Sequence, residues 1–155
     1  MAETTYDEVP QHGQFRQDLQ YAVKEDDTVV EFQVVAWHTT AGYITATTTA
    51  TSGRAAGIAQ EPVTATQSDY SSGYPIVRIP VMFHGVSKFI AGADSSVTVG
   101  MWLVLEGTDG RLVDAGAVSQ TLYVTHGIAL DNPDADGEYG HIMLNLNVPY
   151  YSAVT

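Results

Sequence analysis

Five histidines, a run of acids and a scatter of aromatics are the residues of this chain with chemistry to offer. The histidines are His12, His38, His84, His126 and His141. None of them pairs at the i, i+4 helical spacing of a zinc peptidase, and no HExxH is present. A zinc site built from His38, His84, His126 and His141 would need the fold alone to gather them, whereas zinc sites usually announce themselves by ligand spacing. They read instead as strand and turn residues.

The acidic run is Asn132-Pro133-Asp134-Ala135-Asp136-Gly137, which imitates the start of a calcium loop. The twelfth position of that loop is Met143, where a bidentate Glu is required, and Pro133 is ill placed within it. Asp131, Asp134, Asp136 and Glu138 are therefore weak metal candidates, and an acidic turn joining two strands is the better reading. No Gly-x-Ser-x-Gly elbow and no phosphate-binding glycine loop is present. The carboxylate clusters, Glu25-Asp26-Asp27 and residues 131–138, lie in polar stretches with nothing to raise a pKa. The expectation is a protein with no catalytic residues and no cofactor, which acts through its surface. Tyr70, Tyr74, Tyr150 and Tyr151 stand in loop or tail context, and Tyr6, Phe15 and Leu19 precede the main run of strands. All seven are interface candidates, the tyrosines because Tyr tolerates both a wet rim and a dry centre.

The elements that would carry these residues are strands. Val30, Phe32, Val34 and Ala36 alternate with Glu31, Gln33 and Val35, as in a half-buried strand. Residues 43–51 are rich in Thr, which suits a pleated surface. Residues 61–74 hold Pro62, Gly73 and four Ser and Asp, and read as a long loop. Residues 76–83 form one or two strands, with Pro80 marking an edge or a bulge. Met101-Trp102-Leu103-Val104-Leu105 is continuously apolar, as in a strand covered on both faces. Residues 122–130 and 142–148 complete about ten short strands. Before them, Leu19, Tyr21 and Val23 alternate like a strand, while Phe15, Leu19 and Val23 recur like one helical turn. Residues 1–27 read as an arm and 28–155 as an all-β domain, a β-sandwich or barrel-like fold.

An internal repeat of about 70 residues is visible. Gly42-Tyr43-Ile44, Gly57-Ile58-Ala59 and Ile76-Val77-Arg78-Ile79 are followed in the same order by Gly110-Arg111-Leu112, Gly127-Ile128-Ala129 and Ile142-Met143-Leu144. The copies span about 28–82 and 97–148, and they imply two similar β units.

The bulk numbers narrow the partners. A chain of 155 residues buries roughly 70% of its unfolded surface and needs no staple. It contains no Cys, so disulfides and thiolate chemistry are excluded. Its formal net charge is -12, and the six basic residues are scattered. Such a surface repels nucleic acid and anionic membranes. No 18-residue apolar run is present, so no ordinary helical membrane span is expected. The acidic start, Met1-Ala2-Glu3-Thr4, is unlike a signal peptide, and synthesis in a cytoplasm is expected.

The stretch 57–144 resembles the small decoration (cement) proteins of tailed-phage capsids. The residues that carry the resemblance are Gly57-Ile58-Ala59, then His84-Gly85-Val86, then Val97-Thr98-Val99-Gly100-Met101-Trp102-Leu103. Asp109-Gly110-Arg111-Leu112-Val113 and the second Gly127-Ile128-Ala129 follow. The resemblance implies a homotrimer on the outer capsid surface, bound to the major capsid protein and reinforcing the shell. A β module that recognises carbohydrate or a cell surface is the alternative, with Trp37 and Tyr43 flanking one turn. A third is another virion or tail subunit.

Overall fold

The computed structural model describes residues 17–39, 42–46, 55–66, 77–93, 97–106, 109–115 and 123–150. Their regular elements are all strands: β1 (Gln17–Val23), β2 (Thr28–Val29), β3 (Val34–Trp37), β4 (Tyr43–Ala46), β5 (Ala55–Ala59), β6 (Val63–Thr64), β7 (Arg78–Ile90), β8 (Trp102–Glu106), β9 (Arg111–Asp114), β10 (Tyr123–Ala129) and β11 (Tyr139–Tyr150). The protein is all-β and barrel-like. No helix among the described residues is long and apolar enough to cross a membrane.

Nine strands form one sheet in the order β1-β4-β3-β5-β7-β11-β10-β8-β9, while β2 and β6 pair separately. β1 also pairs with β7, so β1, β4, β3, β5 and β7 close into a five-stranded barrel. The stretch counted with the arm in the sequence thus contains a barrel strand. Its alternation is the reason: Tyr21 and Val23 point into the first unit's apolar cluster from a strand that β4 and β7 flank.

The second half of the chain repeats this construction. Val23 lies parallel to Ile44, and Ala91 lies parallel to Leu112. Lys24 N donates to Ile44 O at 2.8 Å, and Gly92 N donates to Leu112 O at 3.0 Å. Val35 faces Gly57 and Ala46, while Leu103 faces Gly127 and Asp114. Phe32 N donates to Ala59 O and Ala59 N to Gln33 O; Gly100 N donates to Ala129 O and Ala129 N to Met101 O. Phe32 and Gly100, which correspond, both have positive φ.

These registers make Val81, Met82 and Phe83 the counterparts of Ile142, Met143 and Leu144, because Ile58 faces Met82 and Ile128 faces Met143. The sequence match to residues 76–79 was displaced by a few positions. Strand pairing sets the correspondence, and apolar runs of similar composition hide a slip of that size.

The same equivalence carries β1 onto the second half of β7. Leu19 faces Val81, and Ser87 faces Ile142. β7 therefore serves twice. Residues 78–84 are the last strand of the first unit, and residues 85–90 are the first strand of the second. The switch falls at Gly85, whose φ of 109° is a conformation that a side chain disfavours.

Each unit has its own interior. Val23, Val29, Val35, Ile44, Ala59, Ile79 and Val81 fill the first. Phe89, Ala91, Val97, Leu103, Leu105, Leu112, Ala129, Ile142 and Leu144 fill the second. The second cluster also takes in Val34, Ile58 and Met82, a row on the outer face of the first unit. The units are thus packed on each other as well as joined by β7.

Candidate interaction surfaces

The contact between the units is built from two parts. The first is the row Val34-Ile58-Met82, which crosses β3, β5 and β7 of the first unit. The second is the apolar interior of the second unit, with Leu105 and Phe89, and the turn at Asp109-Gly110. Val34 N donates to Gly110 O at 2.9 Å, and Gln33 Nε2 donates to Asp109 O at 2.9 Å. The fit at the turn is close, since a Cβ on Gly110 would lie 2.7 Å from Val34 O. At the rim Phe32 meets Tyr139 edge-on with centroids 5.6 Å apart, and Lys88 Nζ lies 5.5 Å from the Phe32 ring.

Elsewhere large apolar side chains are exposed. In the first unit Leu19 is 52% exposed and Trp37 39%. Trp37 meets Tyr21 edge-on at 4.8 Å. In the second unit Met101 is 43% and Met143 40% exposed, beside the half-buried Trp102 and Ile128. Met143, Ile128 and Trp102 form one cross-strand row over β11, β10 and β8. Side chains directly opposite on neighbouring strands share a face, so this row is one continuous apolar surface.

Among the sequence-derived interface candidates, Leu19 is thus exposed on β1. Tyr150 ends β11, with its backbone opposite Tyr123. Tyr6, Phe15, Tyr70, Tyr74 and Tyr151 lie outside the described residues. Met101, read in the sequence as part of a strand covered on both faces, instead lies exposed just before β8, and Met143 on β11 carries no local signal of exposure.

The acidic loop is committed to its own architecture. Asp131 accepts from the His141 backbone N at 2.7 Å and meets its Nδ1 at 2.5 Å. Glu138 accepts from the backbone N of Asp134 at 2.8 Å and of Ala135 at 3.2 Å. Asp136 pairs with Arg111, which also reaches Asp109 at 3.2 Å. The hydrogen bond to Asp136, ahead of the surrounding carboxylates, raises the Arg111 pKa. No group of three or more His, Asp or Glu among the described residues is placed to hold a metal ion. Of the weak metal candidates Asp131, Asp134, Asp136 and Glu138, three accept from donors of the loop and its neighbours: Asp131 from His141, Glu138 from Asp134 and Ala135, and Asp136 from Arg111.

Two further groups have shifted pKa values. His126 sits at the bulge of β10 between Thr125 and Gly127, buried, and its Nδ1 has no hydrogen-bond partner. Burial lowers its pKa to about 4. Burial raises the pKa of Asp114, against the hydrogen bond at 3.4 Å from Thr98 N, which lowers it.

No family profile matches the chain, and no curated protein matches it. Among solved structures it is similar to the N base of the head fiber protein gp8.5 of bacteriophage phi29. That likeness has a TM-score of 0.56 at 15% identity, over 83% of this chain and 95% of the other. At that identity the likeness is one of fold, and it extends over nearly the whole of the phage domain and most of this chain.

Proposed function

We propose that this chain is a structural virion protein of a tailed phage. In this reading it binds the outer surface of the assembled capsid as a homotrimer, with the major capsid protein as its partner, and it stabilises the shell. The observation that carries the reading is the fold shared with the base of a phage head fiber over 95% of that domain. The chain's own chemistry supports it. Some of the exposed apolar side chains lie together, Trp37 beside Tyr21 on the first unit and Met143 opposite Val86 on the second, as at contact surfaces. The net charge of -12 keeps the protein off a packaged genome. In this reading the chain uses no cofactor and catalyses no reaction.

The mechanism is summation. Several weak contacts made at once by one oligomer raise the effective affinity about a hundredfold or more. A clamp that binds the assembled shell and not its free subunits stabilises the shell by mass action.

The test is co-sedimentation of the purified protein with expanded, undecorated shells and with unassembled capsid subunits. Saturable binding to shells alone is expected. Binding to neither, with binding to glycans on an array, would replace this reading with the carbohydrate module and point to Trp37.

A further inference from the structure

Among the described residues the two units meet in one contact, and the surfaces equivalent to its two halves are left exposed or half-buried. In the first unit the outer row Val34-Ile58-Met82 is fully buried beneath the second unit. Its counterpart in the second unit is Trp102-Ile128-Met143, by the same pairings, and there Met143 is exposed while Ile128 and Trp102, which rests on Val104, Val113 and Ala115, are only half-buried. Gln33 is buried beneath the Asp109 turn, whereas its counterpart Met101 is exposed.

The other half shows the complementary asymmetry. Phe89 and Leu105 of the second unit are buried in the cluster that the first unit's row completes. Their counterparts are Tyr21 and Trp37, and Trp37 is exposed with Tyr21 half-buried beside it. A Cβ on Gly110 would strike the first unit, but a Cβ on its counterpart Gly42 would meet nothing within 4 Å.

We infer that the Trp102-Ile128-Met143 row of one chain packs against Tyr21 and Trp37 of a second copy, repeating between chains the contact that each chain makes between its own units. The occupant is a second copy because the internal contact displays what such a row accepts: the apolar end of this same unit and its glycine turn. The contact is head-to-tail, so it uses different surfaces on the two copies and either closes a ring or runs on as a filament. The inference rests on the self-association named above, where it makes a ring of three, and it is independent of any affinity for capsids. The row is apolar and in part exposed, of the kind that marks protein contacts.

The experiment measures the mass of the full chain by light scattering across a concentration series. Met143→Lys removes one surface and Trp37→Glu the other. Ile128→Lys and Leu19→Lys stand in if either variant loses its circular dichroism spectrum. Wild type is expected as an assembly of several chains. Each single variant is expected as one chain, with its association weakened at least tenfold, and Val30→Lys is expected to leave the assembly intact. Mixing Met143→Lys with Trp37→Glu is expected to give a species of two chains, since each then supplies the surface that the other lacks. A wild type of one chain at all concentrations, variants that keep the wild-type mass, or a mixture that stays monomeric would each overturn the inference. Shell binding by a monomer would overturn this contact and leave the capsid reading standing; assembly without shell binding would do the reverse.

Discussion

The two units share a ladder of hydrogen bonds but differ in what they place on it. Where the first unit has Tyr21 beside Trp37, the second has Phe89 and Leu105. The first pair keeps a polar atom on each ring and meets solvent, and the second pair is wholly apolar and buried. At the bulges of β5 and β10, which correspond, the first unit has Ala56, whereas the second has His126. At the turn before the first hairpin strand, Phe32 holds φ at 62°, and Gly100 holds it at 84° without a side chain. The backbone thus tolerates several fillings of one plan, and the side chains record which surface each unit must bury.

The largest test of this difference is truncation of the paired aromatics. Phe89→Ala is expected to cost about 3–5 kcal/mol, because it opens a cavity in a closed cluster. Tyr21→Ala, at a half-buried site, is expected to cost about half as much. Urea unfolding measures both, and equal losses would break the contrast.

A second test probes what the units share. A Cβ at Gly57 or Gly127 would press on the backbone carbonyl of Met82 or Met143 and lie 2.7 Å from Val81 Cγ1 or 2.8 Å from Ile142 Cγ1. Gly57→Ala and Gly127→Ala are each expected to destabilise by about 3 kcal/mol, since the obstacle is a strand backbone that cannot turn aside. Gly42→Ala is expected to cost about 1 kcal/mol, for φ alone. The ratio of these costs, read from thermal or urea melts, is the discriminating quantity.

A third test uses pH and concerns the second unit alone. Unfolded His126 takes up a proton near 6.5 and the folded residue near 4. Above pH 6.5 both states are neutral and the full stability is present. As pH falls from 6.5 to 4, the unfolded chain binds the proton first, so stability declines by roughly 3 kcal/mol. His126→Ala, which copies Ala56 of the first unit, is expected to flatten that part of the curve. Asp114 acts in the opposite direction: a carboxylate whose folded pKa is raised gains stability as pH falls. Parallel curves for wild type and His126→Ala would refute the assignment.

The smallest effect is at the surface. Asp136→Asn removes one partner of the exposed Arg111 and is expected to cost less than about 1 kcal/mol, with the loss shrinking in high salt. A larger, salt-insensitive loss would mean that the 131–138 loop braces the second unit.

Much of this architecture was legible in the sequence. The apolar run from Met101 to Leu105 identified a strand, realised as β8, since a continuous apolar run against a buried core leaves few alternatives. The alternation of Val30 to Ala36 did so only from Val34 onward, because the chain turns at residues 31–32, where Phe32 takes a positive φ and Val30 is left exposed. The glycines of Gly57-Ile58-Ala59 and Gly127-Ile128-Ala129 marked equivalent points because close backbone approach admits no other residue there. Residues 17–23, read with the arm and by their alternation as a strand, form β1; nothing local in Leu19, Tyr21 and Val23 tells whether such a strand joins the sheet, since its partners are β4 and β7, far along the chain. The exposed row was hidden for a related reason. Trp102 stands in an apolar run that reads as covered on both faces, and only the packing of one unit on the other reveals that the matching row of the first unit is fully covered and this one only in part.

Neighbouring domains usually meet through a linker that lets them swing and come undone separately. Here the junction is the middle of β7, with ladder hydrogen bonds on both sides of Gly85. There is no joint to flex and no segment to cut. Opening either barrel removes a strand from the other, so the pair has one cooperative life, and slow amide exchange should vanish from both halves in a single step. A duplication joined in this way cannot be shortened back to a single copy without leaving an unfinished sheet.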